Sequence, residues 1–283
     1  MKSVVVTGVS TGIGLATVES AVRAGFRVFG SVRTEADAVR LRETFTERFT
    51  ALVFDVTDVA AIAEAVEVVG RALGTRRLDG LVNNAGIAIS GPLLHLPLEK
   101  VRQQFEVNLI GVVAVTQAFA PLLGTDDQRS GEPGKIINIS SVAGKFGSPF
   151  VGAYSASKHA LEGMSESLRR ELLLYGIDVV VIGPGAIQTP IWGKADFVDY
   201  FKTPYRRPLE LAYAGMLKLV EGGLKPEQCG DLIVKCLCAS SPKARYALVR
   251  NSLVNWIIPR VLPVRWIDWI FGRMLELRQR SIG

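Results

Sequence analysis

The stretch "VVVTGVSTGIG", Val4–Gly14, decides how the chain is read. Three valines run into glycines at Gly8, Gly12 and Gly14, and a segment with helical spacing follows over about 13–24. Strand, glycine turn and helix are the opening of a βαβ unit built around a pyrophosphate. The glycines let the backbone turn sharply and approach the ligand, and the free amides at the start of the helix hold its charge. The spacing is G-x-x-x-G-x-G rather than the more familiar G-x-G-x-x-G. The strand before it and the helix after it are therefore what give the motif its meaning.

The same alternation continues outward from this stretch. Short strands are predicted at 3–7, 26–32, 50–54, 78–82, 135–140, 177–183 and 245–249, with helical spacing near 13–24, 35–47, 58–73, 99–123, 153–175 and 226–239. Strands this rich in Val and Ile belong in a buried parallel sheet covered by helices on both faces. The expectation is a doubly wound α/β domain over residues 1–250, with a long insertion at about 184–225. An apolar C-terminal extension over 251–283 would cap the substrate side. The polar, turn-rich loop "GTDDQRSGEPGK" at 124–135 reads as a solvated connection.

The second strand ends in "FGSVR", with Arg33 where a carboxylate would take the ribose 2′-hydroxyl of NAD. Arginine there suits the 2′-phosphate, so NADP(H) is expected in preference to NAD(H). Asp37 is better explained by a capping box that starts at Thr34. Further on, "YSASK" sets Tyr154 and Lys158 one helical turn apart on one face, and a neighbouring cation lowers the pKa of a phenol. By itself the pair reads better as a surface coincidence, and the rest of the chain has to raise it to a functional pair.

The bulk numbers exclude several classes. With 48% hydrophobic and 21% charged residues, the 283-residue chain is globular rather than disordered. Its net charge of +6 comes without a Lys/Arg-rich block, so nucleic acid is not an expected partner. Cys229, Cys236 and Cys238, with His95 and His159, make neither a disulfide framework nor a metal cage, and a reducing, cytoplasmic setting is expected. No leader sequence and no unbroken apolar run long enough to span a bilayer are read.

Taken together, "TGVSTGIG", "FDVTD" at 54–58, "LVNNAG" at 81–86, Asn108 in "EVNLIG", "NISSVAG" at 138–144, "YSASK" and "GPGAIQTP" at 183–190 resemble the short-chain dehydrogenase/reductase family in order and spacing. That resemblance implies a seven-stranded Rossmann-type fold and a catalytic set of Asn108, Ser141, Tyr154 and Lys158. Ser141 stands 13 residues before Tyr154, the family's interval, which leaves Ser140 as a structural neighbour. The resemblance implies that Gly8, Ser10, Thr11, Gly12, Ile13 and Gly14 cradle the diphosphate, and that Asp55 and Val56 meet the adenine. Asn84, Ala85 and Gly86 would lie beside the adenosine ribose, and Pro184, Gly185, Ile187 and Thr189 would grip the carboxamide and diphosphate. Lys158 would hold the nicotinamide ribose, and Asn108 a water that links it to solvent. The chain departs from many NADP-dependent members by carrying Thr11 where they have a basic residue, so the 2′-phosphate would rest on Arg33 alone. The loop between Asn108 and Ser141 is also longer than usual.

The segments expected to face the substrate are apolar: 90–98, 145–150, 191–205 and the tail. They predict a bulky hydrophobic alcohol or ketone. Within the family they look most like the retinol and 17β-hydroxysteroid dehydrogenase branch, with long-chain acyl or sphingoid ketones as the alternative substrates. A non-catalytic NADP-binding sensor is the alternative of another class. His95 and Lys194 read as solvated loop residues. Family members commonly associate as dimers or tetramers. The tail, with Trp256, Trp266 and Trp269 among arginines, reads as a lid over the cleft or a subunit interface, with a peripheral membrane contact through 253–277 as the competing possibility.

Overall fold

The computed structural model describes residues 1–192, 198–252 and 256–277. Its seven strands are β1 (Ser3–Val6), β2 (Arg27–Val32), β3 (Phe49–Val53), β4 (Gly80–Asn83), β5 (Lys135–Ile139), β6 (Asp178–Pro184) and β7 (Arg245–Leu248). They pair in parallel throughout, in the order β3-β2-β1-β4-β5-β6-β7. This is the Rossmann-type arrangement, and each strand lies where the sequence predicts it to within about two residues.

The two-residue period of the strands sorts the core. Val4 and Val6 point to one face, with Val28, Val82, Ile137 and Ile182, where α1 (Gly12–Arg23), α2 (Glu35–Phe45) and α8 (Pro226–Cys238) cover them. Val5 points to the other face, with Phe29, Leu81 and Ile136, under α3 (Val59–Leu73) and α5 (Gly111–Ala120). The catalytic-side helix α6 (Gly152–Glu171) packs on this second face through Leu168.

The strand order reverses at β1. The chain leaves β1 for β2 and β3 on one side, and β4 to β7 fill the other. A crevice opens at such a point beyond the carboxyl ends of the strands. Here the glycine loop after β1 and Asn84–Gly86 after β4 line it, tied by Thr7 N–H to Val82 O at 3.0 Å.

α4 (Leu98–Phe105) runs into α5 through a π turn at Glu106–Ile110. The whole helix, Leu98–Thr125, is long and apolar enough to cross a bilayer by length and composition alone. Half of its apolar 18-residue window is buried, and Val115, Phe119, Leu122 and Leu123 sit in the core under the sheet. It is thereby accounted for as a core helix.

Two expectations change. The insertion is not simply a loop: it holds α7 (Arg206–Glu221), whose Leu209, Ala212, Tyr213 and Met216 repeat at helical spacing and pack inward. The 124–135 loop is less solvated than read, because Arg129 donates to the carbonyls of Gly74 and Arg76 at 3.0 and 3.3 Å. Arg77 N–H meets Ser130 O at 2.9 Å. Carbonyls left open between α3 and β4 find their donors there.

α1 and α8 touch backbone to side at Gly230, where an added Cβ would stand 2.5 Å from Ala16 O. Gly230→Ala must push the helices apart, at about 1–3 kcal/mol by analogy with other overpacked sites. A lower Tm in thermal unfolding is the expected result, and an unchanged Tm would contradict this packing.

Candidate active site

Local structure brings the four residues expected to act together, Asn108, Ser141, Tyr154 and Lys158, from three parts of the chain. Tyr154 and Lys158 lie on consecutive turns of α6, Ser141 caps the short turn after β5, and Asn108 lies in the π turn between α4 and α5. All four are buried: Asn108 is 1% exposed, Tyr154 and Lys158 6%, Ser141 8%. Ser141 shares a side-chain hydrogen bond with Tyr154. Its Oγ also accepts from Ala143 N–H at 3.1 Å, which fixes its rotamer. Ser140, by contrast, donates its N–H to Ile182 O at 2.7 Å and faces Gly144, as a structural neighbour would.

The electrostatics differ from the sequence expectation at one point. Burial pushes the Tyr154 phenol up from its ordinary value, and the Ser141 hydrogen bond offsets this only in part. The Lys158 ammonium donates to Ile139 O at 2.8 Å and lies 5.9 Å from the phenol ring centre. Burial brings Lys158 down to about 8, opposed by the negative charge of Glu162 one turn further along α6. Sequence reading passed over Glu162. It is 2% exposed and grips Arg245 of β7 with two hydrogen bonds from Nε at 2.8 and 3.1 Å and one from Nη2 at 2.9 Å. Lys145 Nζ adds a contact at 3.4 Å.

Asn108 is held by a reciprocal pair with Ile87: Ile87 N–H donates to Oδ1 at 2.9 Å, and Nδ2 donates to Ile87 O at 3.0 Å. Nδ2 also reaches Ser157 Oγ at 3.2 Å, so both amide hydrogens are committed. A Cβ on Gly86 would stand 3.2 Å from Asn108 Oδ1 and 3.8 Å from Lys158 Nζ. Gly86 therefore borders the same small space.

The crevice fits a dinucleotide on its own geometry. Gly8 and Gly12 adopt φ of +69° and +61°, and a Cβ on Gly14 would press into Gly8 O and the Asn84 amide. Thr11 caps α1 with no side-chain hydrogen bond, and the first turn carries no acid, so its amides remain open to an anion. Ser10 precedes this cap, and Ile13 lies in the first turn, its carbonyl taken by Thr17 Oγ1. The Asn84 amide donates to Thr7 O and Gly8 O at 2.8 and 3.0 Å, and Ala85 N–H donates to Thr7 Oγ1 at 3.0 Å. This pair fastens the glycine loop to β4. Across the crevice, Thr189 approaches Gly12, and Ile187 is buried through a bridge to Leu224. Pro184 ends β6, and Gly185 N–H meets Leu248 O at 2.9 Å.

At the far end, Asp55 accepts from Thr57 N–H and Oγ1 at 3.0 and 2.8 Å, and Val56 packs under Gly111. Arg33 is exposed just past β2. Thr34 Oγ1 caps α2 by accepting Asp37 N–H at 3.2 Å, as read from the sequence. Beyond that reading, Arg40 donates to Ser10 O at 2.9 Å and to Asp37 Oδ1 at 2.8 Å. Its hydrogen bond is the main reason the Asp37 carboxyl lies below its ordinary pKa. A second guanidinium thus stands at the glycine loop, where Arg33 had been expected to act alone.

The apolar segments converge beside Tyr154. Leu96, Phe150, Ala153, Tyr200, Leu209 and Leu275 form one cluster, with Phe201, Tyr205 and Phe271 packed against it. Phe150 is held at φ +66°, a costly conformation for a bulky residue, with its carbonyl accepting Gly91 N–H at 2.7 Å. α10 (Val264–Met274) closes over this side through Phe271, which stacks on Phe146 at 6.0 Å. Exposed His95 rests edge-on against Tyr205 at 5.8 Å, and Lys194 lies outside the described residues.

Comparison with known proteins agrees with this geometry. The family model described as short chain dehydrogenase matches residues 2–196. The chain is 41% identical to the NADPH-dependent 3-dehydrocapnine reductase of Ornithobacterium rhinotracheale, over 99% of this chain and 100% of that protein. It is 37% identical to retinol dehydrogenase 16 of Mus musculus, over 94% of this chain and 86% of that one. Among solved structures, a short-chain dehydrogenase from Streptomyces avermitilis superposes with a TM-score of 0.74 at 29% identity, covering 97% and 95% of the two chains.

Lys158 is expected to lose its proton with a midpoint near pH 8, and Glu162→Gln, which removes the opposing charge, should move that midpoint to lower pH. An NMR titration of labelled lysine Cε checks both. A midpoint near the ordinary value, or a shift to higher pH in the variant, would contradict the assigned cause.

Proposed function

The chain belongs to the short-chain dehydrogenase/reductase family, and from that premise we propose that it uses NADPH to reduce a ketone on a long apolar chain. The observation that carries the reading is the buried Ser141–Tyr154–Lys158 group next to an apolar cluster of Leu96, Phe150, Leu209 and Leu275 that reaches Ala153, the residue before Tyr154 on α6. The long-chain alternative is preferred over retinoid or steroid substrates because the relative at 41% identity, aligned along its full length, is named as neither a retinol nor a hydroxysteroid dehydrogenase. The retinoid reading stays second, supported by the mouse retinol dehydrogenase.

In this reading the reduced nicotinamide supplies the hydride. Tyr154 donates a proton to the carbonyl oxygen as the hydride arrives. Ser141 hydrogen-bonds the same oxygen and sets its distance. Lys158 holds the ribose hydroxyls with its ammonium. Asn108 fixes the π turn beside Lys158, where a water connects it to solvent. Gly8, Gly12, Gly14 and the open amides of α1 would hold the diphosphate, with Pro184, Gly185, Ile187 and Thr189 across the crevice. Asp55 and Val56 would take the adenine, with Asn84, Ala85 and Gly86 beside its ribose. Arg33 and Arg40 would hold the 2′-phosphate.

A panel of long-chain 3-ketones, steroid ketones, retinaldehyde and small polar ketones, followed by NADPH oxidation, tests the assignment. Turnover of the long-chain ketones is expected, with Tyr154→Phe lowering kcat on the order of 10²–10⁴-fold while NADPH binding survives. Activity confined to small polar ketones would overturn the substrate class. NADPH binding with no turnover of any of them would favour the sensor reading.

Charge-assisted hydrogen bonds contribute about 1.5–3 kcal/mol each, so Arg33→Ala should weaken NADPH binding about 10–100-fold and leave NADH binding nearly unchanged. Arg40→Ala should act in the same direction. Fluorescence titration with both cofactors reads this, and equal losses for NADH would remove both arginines from the 2′-phosphate.

A further inference from the structure

We infer that the outer face of α10 is a docking surface for an anionic lipid interface. A helix on the surface of a soluble protein turns its polar side to water and its apolar stripe inward. α10 has an apolar side facing each way. Phe271 and Leu275 point into the cluster beside Tyr154, while Trp266 and Trp269 on the opposite side are 63% and 61% exposed. Trp266, Trp269, Ile270 and Arg273 recur at i, i+3, i+4 and i+7, which makes them one continuous stripe. An open groove of about 500 Å³ lies along it, lined by Arg265, Trp266, Trp269 and Ile270.

The apolar surface extends beyond the helix. Ile257 and Val261 in and before the short helix α9 (Ile258–Val261) are exposed, as are Val264 and Met274 at the two ends of α10. On the other flank of the cluster around Leu96, the loop before α4 exposes Leu93 and Leu94, and α4 begins with exposed Leu98. Exposed apolar side chains in this number mark an interaction site.

Charge selects the occupant. Residues 257–274 hold three arginines, Arg260, Arg265 and Arg273, against one acid, Asp268. Arg273 lies over the Trp269 ring at 5.0 Å, so indole and guanidinium project from the face together. Indole rings and guanidinium groups side by side suit the headgroup level of a bilayer, where phosphate meets the cation and the acyl boundary meets the ring. A second copy of the chain fits less well, because a two-fold contact through this stripe would set arginine against arginine.

The test uses the full chain. Co-sedimentation with vesicles of phosphatidylcholine containing phosphatidylglycerol is compared with vesicles of phosphatidylcholine alone, at low and high salt, for the wild type and for Trp266→Ser/Trp269→Ser and Arg265→Gln/Arg273→Gln. Binding that needs the anionic lipid, weakens with salt and falls at least tenfold in both variants is expected, with Tm unchanged since these side chains face water. No sedimentation of the wild type, or equal sedimentation of the variants, overturns the inference. So does a wild-type dimer in light scattering that the tryptophan variant breaks, since the face would then be filled by a second copy. Vesicle binding is read without turnover, so it can fail independently of the reductase assignment.

Discussion

A lysine ammonium buried on α6 sets the terms for the catalytic half of the structure. Taking a charge out of water costs several kcal/mol unless it is hydrogen-bonded and compensated. Lys158 meets that demand with the carbonyl of Ile139 at the end of β5 and with the charge of Glu162 on the next turn. Glu162 is itself buried, so it requires Arg245 from β7 and Lys145 from the turn after β5. Arg245 in turn lies over the Trp256 ring at 4.2 Å, and Arg260 lies near the same ring at 4.5 Å. The positioning of one ammonium therefore engages β5, β7, α6 and the first aromatic of the C-terminal extension.

Legibility in the sequence followed the range of the interaction. The glycine loop, the Thr34 cap and the Tyr154–Lys158 turn are local, and a short window of residues contains their whole physical cause. The strands were readable because valines on both faces have one stable home, a covered parallel sheet. α7 was readable too, since Leu209, Ala212, Tyr213 and Met216 keep helical spacing, yet Pro208 in its first turn disguised the start. Glu162 with Arg245 and Arg40 with Ser10 are pairs 83 and 30 residues apart, and only the packing of α6 on β7 and of α2 beside the glycine loop brings them together. The phenol of Tyr154 was misjudged for the same reason. The adjacent cation was visible, whereas the depth of burial that outweighs it was not.

The two ends of the molecule divide the labour unevenly. The family match covers residues 2–196, which hold the glycine loop, the catalytic group and six of the seven strands. α7 and α10, which build much of the apolar cluster beside Tyr154, lie beyond it. The matched part thus carries the glycine loop and the Tyr154–Lys158 turn, and the remainder builds much of the apolar surface beside them. That separation explains why α10 can carry apolar side chains on both sides: its inner stripe closes the cluster with Phe271 and Leu275, leaving its outer stripe free to meet a different environment. The 11 residues of α10 thus join the apolar cluster on the inner side to the exposed tryptophans on the outer side.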